Sequence, residues 1–417
     1  MGRTIRALAF IFICTSLAWV ILGSVTSLRT YDQDTKLREA VGKLWGTSQK
    51  QRAPEARVFR VLPERKVEVV VDGKRTVETK ADTLREPVEL AGSDINVDLM
   101  LEHRKKGLLW YSAYKVGFEA NYILTNDTDE PYDYVFYYFF PTSEGIYENF
   151  RFTIDDAVVE NLLPKAGVIE RKFSIGPGES RSVNIAYESQ GMDEWWYVFG
   201  ENVSQINDFN LTMTTDFDDI DFPENTISAS SKQKTDKGWE LTWDYSNLIS
   251  GIQIGMKMPQ KLNPGPFVSR VSYFAPVSLF LFLFLMFIIT SIKKMNIHPM
   301  NYFFIAASFF SFHLLLAYLA DHIAIHIAFV ICSIVSIALV IMYMRLVVGI
   351  RFALFETGLS QFVYLVLFSY AFFLEGYTGL AITICCILTL FAVMMLTGKT
   401  DWEKLYAESR KKNEISQ

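Results

Sequence analysis

Three side chains that could bind a metal ion or transfer a proton lie together in the segment LADHIAIHI, residues 319–327. Asp321, His322 and His326 stand among apolar residues, and the two histidines are four positions apart. In a helix this spacing places both imidazoles on one face, where they could bind a metal or pass a proton. The segment therefore predicts, as one hypothesis, an N/O site for a divalent metal, with Glu375 as a further ligand.

The same residues also fit a turn between two membrane spans. Polar side chains at such a turn satisfy backbone groups that are freed at helix ends, which accounts for Asp321 and His322. His326 would lie one turn into the next span, and His313 would lie deeper, as a neutral imidazole hydrogen-bonded between helices. Both interpretations stay open.

No established catalytic motif accompanies these residues. The sequence has no G-x-S-x-G, H-E-x-x-H, C-x-x-C, P-loop or dinucleotide-binding fingerprint. It therefore favours a non-catalytic protein without a cofactor. A membrane-embedded, metal-dependent enzyme using Asp321, His322 and His326 is the alternative.

The apolar residues are concentrated in runs that match the length of a membrane span. Half of the 417 residues are hydrophobic, and a helix needs about 20 apolar residues to cross the hydrocarbon layer. Six spans are predicted, at residues 7–25, 272–292, 299–319, 323–344, 352–373 and 377–397. The chain is therefore expected to be an integral membrane protein, with the first span retained as an anchor.

The basic residues around these spans predict the topology. Eleven Lys and Arg residues fall on one side of the predicted membrane: Arg3, Arg6, Lys293, Lys294, Arg345, Arg351, Lys399, Lys404, Arg410, Lys411 and Lys412. Because such residues are enriched in cytoplasmic segments, both termini are expected in the cytoplasm and residues 29–268 outside it.

The polar middle of the chain is acidic and lacks cysteine. The whole chain has a net charge of −6, of which residues 1–25 and 271–417 contribute +2 each, so residues 26–270 carry −10. This balance argues against nucleic acid as a partner. All four cysteines, Cys14, Cys332, Cys385 and Cys386, lie within apolar runs, so the middle region has no disulfide.

Short β-rich runs separated by Gly, Pro, Asn and Asp turns fill the sequence from about residue 55. This pattern predicts an antiparallel β-sandwich-like domain. The run KFSIGPGES and the following VNIAY resemble the two arms of a hairpin. The aromatic runs at 132–140 and 195–197 are expected to pack in the core, and a groove for a wall polymer is the alternative.

The predicted organisation has five parts. They are a transmembrane anchor at 1–28, an amphipathic connector helix at 29–54, an extracytoplasmic β-rich domain at 55–268, a five-helix transmembrane bundle at 269–398 and a cytoplasmic tail at 399–417. The connector helix is inferred from Leu37, Val41, Leu44 and Trp45, which share one helical face.

Four segments resemble the CreD family of inner-membrane proteins, which is linked to bacterial cell-envelope integrity. They are WGTSQKQRAP (45–54), RKKGLLWYSAYK (104–115), NIHPMNYFFIAASFF with LAYLADHIAIHIAF (296–329), and LTGKTDW (396–402). One departure is Asp321, where the family usually has Glu, which shortens the reach of the carboxylate toward a metal.

The resemblance implies a multi-pass protein of the bacterial inner membrane with a large periplasmic domain. Its implied role is envelope integrity or stress tolerance, and its expected partners are the lipid bilayer and a periplasmic protein or cell-wall component. The family supplies no established reaction to carry over.

Overall fold

A computed structural model describes most of the chain. The described residues are 2–61, 65–71, 74–80, 83–107, 109–200, 204–295, 297–374 and 376–398. They form two compact units, a helical unit of Met1–Lys36 with Leu262–Gln417 and a β-rich unit of Leu37–Lys261. Glu375 and the predicted cytoplasmic tail lie outside the described residues.

Six described helices are long and apolar enough to cross a membrane. They are α1 (Gly2–Trp45), α2 (Pro264–Ile292), α3 (Pro299–Leu319), α4 (Ile325–Val348), α5 (Ile350–Phe373) and α6 (Thr378–Thr397). Each predicted span falls on one of these helices. Pro299 occupies the first helical position of α3, where a missing N–H costs nothing.

The first helix packs into the core of the helical unit. The Trp19 side chain is fully buried and contacts the rings of Phe309, Phe310 and His313 on α3. The Ser269 hydroxyl on α2 donates to the Gly23 carbonyl at 3.0 Å. The N-terminal segment is therefore an integral member of the helical core.

The connector helix predicted at 29–54 differs from the observed structure. Helix α1 runs without interruption to Trp45, and residues 49–52 form a strand. The helix ends because Gly46 has a φ of +102°, and a Cβ there would lie 2.3 Å from the Gln190 carbonyl oxygen. Of the predicted apolar face, Leu44 is 70% exposed.

The β-rich unit contains seventeen described strands. They are β1 (Gln49–Arg52), β2 (Glu55–Val61), β3 (Arg65–Val71), β4 (Lys74–Lys80), β5 (Thr83–Val88), β6 (Gly92–Lys106), β7 (Leu109–Thr125), β8 (Tyr132–Phe139), β9 (Tyr147–Ile154), β10 (Ala157–Val158), β11 (Val168–Ile175), β12 (Ser180–Met192), β13 (Glu194–Val198), β14 (Ser204–Thr215), β15 (Ser231–Lys234), β16 (Trp239–Ser250) and β17 (Ile254–Lys257).

The main sheet has eight strands in the order β10-β9-β12-β7-β6-β14-β16-β15. A four-stranded sheet, β11-β8-β2-β5, and a three-stranded sheet, β1-β13-β17, share one hydrophobic core with it. Most pairs are antiparallel, and the parallel exceptions are β6 with β14 and β1 with β13. The layered, antiparallel-rich domain confirms the predicted fold class.

The hairpin predicted for KFSIGPGES and VNIAY is wrong. Strand β11 pairs with β8 in the four-stranded sheet, whereas β12 pairs with β7 and β9 in the main sheet. The Asn126 side chain bonds the Ile175 carbonyl, and the Asn126 carbonyl accepts from Gly178 N–H. These bonds stabilise a turn that connects two sheets. The alternating apolar side chains of β11 and β12 therefore enter the shared core from different sheets.

Candidate functional site

The turn between α3 and α4 contains the first of the predicted site residues. Asp321 Oδ2 lies 2.6 Å from Arg29 Nη2, and the Asp321 side chain is only 13% exposed. Arg29 also donates to the Ala317 carbonyl at 3.3 Å and lies over the Tyr318 ring. The Asp321 carboxylate therefore forms an ion pair with Arg29 of the first helix.

The two histidines of the segment do not share a helical face. Helix α4 begins at Ile325, so His322 belongs to the turn and the spacing of four does not apply. The His326 ring stacks on Phe373, with ring centroids 4.7 Å apart and planes 27° apart. Both histidines are exposed.

Asp321, His322 and His326 are therefore neighbours in sequence but have different environments. Asp321 pairs with Arg29, His322 lies in the turn, and His326 stacks on Phe373. No group of three His, Cys, Asp or Glu residues that could hold a metal occurs among the residues the structure describes. Glu375, the fourth ligand in the hypothesis, lies outside that part of the chain. The metal site stays a prediction.

His313 lies deep in the helical unit and is 1% exposed. Its ring is enclosed by Trp19, Phe309 and Phe312, and its Nδ1 lies 3.4 Å from the Phe309 carbonyl oxygen. An imidazole in this aromatic enclosure is a packing residue that joins α1 to α3.

A second polar group in the helical unit was not predicted from the sequence. Gln361 on α5 is fully buried, and its Nε2 donates to the Ser336 hydroxyl at 2.7 Å and the Ser336 carbonyl at 3.1 Å. The Ser336 hydroxyl donates in turn to the Ser308 carbonyl at 2.6 Å. The sequence does contain one indication of this network, because Gln361 is a polar amide within a predominantly apolar span.

The backbone around Gln361 is irregular. Two π-helical segments, Ala353–Gly358 and Phe362–Leu367, flank it within α5. Such segments are rare and occur often at functional sites. Here they orient the amide toward Ser336 and Ser308, so the network joins α3, α4 and α5 in the manner of polar contacts between membrane helices.

Two glutamines of the WGTSQKQRAP segment are buried in the core of the β-rich unit. Gln51 Oε1 accepts hydrogen bonds from the Tyr138 and Tyr187 hydroxyls, both at 2.9 Å. Gln49 Nε2 donates to the Ser189 hydroxyl at 2.8 Å. The segment thus has a structural role, because its short polar strand supplies the hydrogen-bond acceptor of two buried tyrosine hydroxyls.

The aromatic runs considered for glycan binding divide between core and surface. Tyr134, Phe136 and Tyr138 point into the core, as do Trp195 and Tyr197. Burial raises the pKa of the tyrosine hydroxyls in this core well above the ordinary value, as at Tyr138 and Tyr187. These side chains are too enclosed to contact a ligand.

The opposite face of the four-stranded sheet carries cations over half-buried aromatic rings. Arg57 lies over Tyr137 at 5.7 Å, and Arg52 lies over Phe139 at 4.6 Å. Lys172 lies over Phe59 at 5.0 Å. We call this surface the cationic face.

A cleft of about 470 Å³ opens on the cationic face. It is lined by Tyr137, Leu163, Lys165, Val168, Glu170, Arg171 and Lys172. Leu163 is 82% exposed. Three cations against one carboxylate make the cleft positive within an acidic region. An open, positive cleft with a tyrosine suits a ligand with anionic groups and flat faces.

Taken together, the six apolar helices and the layered β-rich unit define a multi-span membrane protein with one large domain outside the hydrocarbon layer. The model of the family described as inner membrane protein CreD matches residues 226–403. This range includes the end of the β-rich unit and all five distal helices. The match confirms the resemblance to the CreD family for the segments at 296–329 and 396–402, whereas those at 45–54 and 104–115 lie outside the matched range.

Two solved structures resemble the chain at low similarity. A Legionella pneumophila protein described as nutrient binding is 9% identical, with a TM-score of 0.33 over 64% of this chain and 85% of that one. An M1 zinc metallopeptidase from Deinococcus radiodurans is 10% identical, with a TM-score of 0.22 over 40% and 42%. No curated protein matches the chain.

Proposed function

We propose that this chain is a multi-pass inner-membrane protein that supports cell-envelope integrity by binding an envelope component through its β-rich unit. The resemblance to the CreD family supports the cellular role. The cleft on the cationic face is the observation that carries the binding activity. Asp321 is paired with Arg29, and His322 and His326 are exposed, so the proposal assigns these three residues no catalytic role.

The proposed topology places the β-rich unit in the periplasm and both termini in the cytoplasm. Its support is the distribution of the eleven basic residues and the even number of candidate spans. In this orientation the cleft faces the compartment that contains the cell wall.

The chemistry of the cleft favours a cell-wall polymer over a periplasmic protein. Lys165, Arg171 and Lys172 can bind carboxylate or phosphate groups, and Tyr137 can stack on a sugar ring. Leu163 adds an exposed apolar contact at the rim. Wall glycans carry both anionic groups and flat ring faces, whereas a protein interface is typically larger than one cleft.

Co-sedimentation of the full-length protein, held in bilayer discs, with isolated cell wall tests this proposal. Replacing Lys165, Arg171 and Lys172 with Gln should weaken binding by tenfold or more, because each charge-assisted hydrogen bond contributes about 2 kcal/mol. A matched control replaces Lys232, Lys234 and Lys237, at and after β15, with Gln. Equal binding by the two triple variants would contradict a role for the cleft.

A further inference from the structure

The hairpin of β6 and β7 ends in a cluster of lysines around one tryptophan. Lys105 and Trp110 are directly opposite in the register of the two strands, and Lys105 Nζ lies 5.8 Å from the Trp110 ring. Lys261 Nζ lies 4.4 Å from the same ring, and Lys106 extends the cluster along β6. We call Lys105, Lys106, Trp110 and Lys261 the basic tip.

Gly107 follows the last residue of β6. It has a φ of +60°, in the left-handed region that suits glycine. A Cβ at Gly107 would lie 3.0 Å from Leu37 Cδ1 on the last part of α1. Gly107 therefore lies next to Leu37 of this helix.

The lysines of the basic tip have no carboxylate within ion-pair distance among the residues that the structure describes. The neighbouring acid, Glu102, pairs instead with Arg104 and Lys115. Burial, followed by the charge of Lys261, lowers the pKa of His103, whose ring contacts the Pro259 carbonyl at 3.1 Å. The tip is thus a positive patch on an acidic unit.

Lys261 of the basic tip is close along the chain to a candidate membrane span. Lys261 is three residues before Pro264, where the candidate span of α2 begins. Lys106 Nζ donates to the Ala40 carbonyl on the last part of α1, at 3.4 Å. Tryptophan and lysine side chains are enriched at the boundary between lipid and water.

We propose that the basic tip binds the headgroups of anionic phospholipids in the membrane that the helices cross. Each lysine close to such a surface contributes about fivefold to association, and screening by salt weakens it. Trp110 adds a ring whose apolar body and polar N–H suit the headgroup region. This binding is independent of the cleft on the cationic face.

Hydrogen exchange of the full-length protein in bilayer discs tests the proposal. One disc contains only phosphatidylcholine, and the other contains equal parts of phosphatidylcholine and phosphatidylglycerol. Backbone amides at the end of the hairpin should exchange at least about fivefold more slowly in the anionic disc. The difference should disappear at high salt.

Variants show whether the basic tip causes the difference. Replacing Lys105, Lys106 and Lys261 with Gln should abolish the slower exchange, whereas replacing Lys232, Lys234 and Lys237 with Gln should preserve it. Exchange elsewhere in the β-rich unit reports whether each variant is folded. Equal exchange in the two discs, or slower exchange that survives the triple change at the tip, would overturn the proposal.

Discussion

At the scale of single residues, Gln51 forms hydrogen bonds with several buried groups of the β-rich unit. Replacing it with Met leaves the Tyr138 and Tyr187 hydroxyls without their acceptor and removes the donor to the Phe139 carbonyl. We expect the free energy of unfolding to fall by about 3 kcal/mol, since each buried orphaned group costs about 1–3 kcal/mol. Denaturant unfolding followed by near-ultraviolet circular dichroism measures this.

The exposed Gln205 on β14 is the matched control for Gln51. Its Nε2 contacts the Asn207 side chain at the surface, where water can replace the lost bond. Gln205→Met should change the free energy of unfolding by less than about 0.5 kcal/mol. Equal changes in the free energy of unfolding for Gln51→Met and Gln205→Met would show that the buried hydrogen bonds of Gln51 do not stabilise the fold.

The Arg29–Asp321 pair and the two histidines give the second prediction. A double-mutant cycle with Arg29→Gln and Asp321→Asn should give a coupling energy of about 1 kcal/mol, as expected for a partly exposed pair. His322→Ala and His326→Ala should each cost at most about 1 kcal/mol. Thermal unfolding of the purified protein measures these effects.

Elemental analysis of the same samples tests the metal alternative. We expect no stoichiometric metal in the purified protein. A near-stoichiometric divalent metal that is lost in the His322→Ala, His326→Ala double variant would instead support the metal-dependent enzyme, because water cannot replace two imidazole ligands without a large fall in affinity.

The sequence predicted the polar turn but not its contacts. Asp321 could be placed at the end of a span because the apolar run stops there. Its partner Arg29 is 292 positions away in the chain, and no local pattern connects the two. The histidine spacing was misleading because helix periodicity applies only within one helix, and α4 begins after His322.

At the scale of elements, strands of the main sheet and of the four-stranded sheet place tyrosine hydroxyls in a shared core. Burial raises the pKa of Tyr147 to about 12 and that of Tyr114, Tyr122 and Tyr138 well above the ordinary value of 10. The unfolded chain loses these protons near pH 10, whereas the folded unit retains them. Stability should therefore be intact below pH 10 and fall as the pH rises from 10 toward 12.

Alkaline titration of the full-length protein measures this effect. Tyrosinate absorbance should appear together with the loss of the β signal in circular dichroism, because ionisation of the buried tyrosines requires unfolding. A gradual titration of all tyrosines near pH 10, with the β signal retained, would contradict the burial of these hydroxyls.

The elements themselves were predicted to different degrees. Apolar runs fixed the positions of the six helices, since membrane spans have a required length. The strand β1 was missed because QKQR has no apolar alternation, and its glutamines are buried through hydrogen bonds rather than through apolar side chains. The predicted anchor and most of the predicted connector form one continuous helix. The apolar face used to predict the connector did not indicate this continuity.

At the scale of the whole molecule, the topology is the prediction that most directly follows from charge. Reporter fusions after Asp321 should be active outside the cytoplasm, and fusions after Lys294, Arg351 and Gln417 inside it, because basic residues flank the cytoplasmic ends of spans. A fusion at Gln417 that is active only outside the cytoplasm would overturn the orientation.

The fold class could be predicted because spans and strand alternation are local signals. The order of strands in the three sheets of the core could not, since β6 with β14 and β1 with β13 pair across more than a hundred residues. The cleft was missed because it depends on the pairing of two strands that no local pattern predicts. It forms where β8 and β11 come together, and the aromatic run of β8 alone points mostly to the core.

Photocrosslinking in the native envelope tests the binding of an envelope component most directly. A photoreactive amino acid at Leu163, in the cleft, should yield an adduct with wall polymer, and the adduct should be lost when Lys165, Arg171 and Lys172 are replaced with Gln. The same probe at the exposed Ile249 on β16 should yield none. An absence of adducts at Leu163, or equal adducts at both positions, would contradict the account.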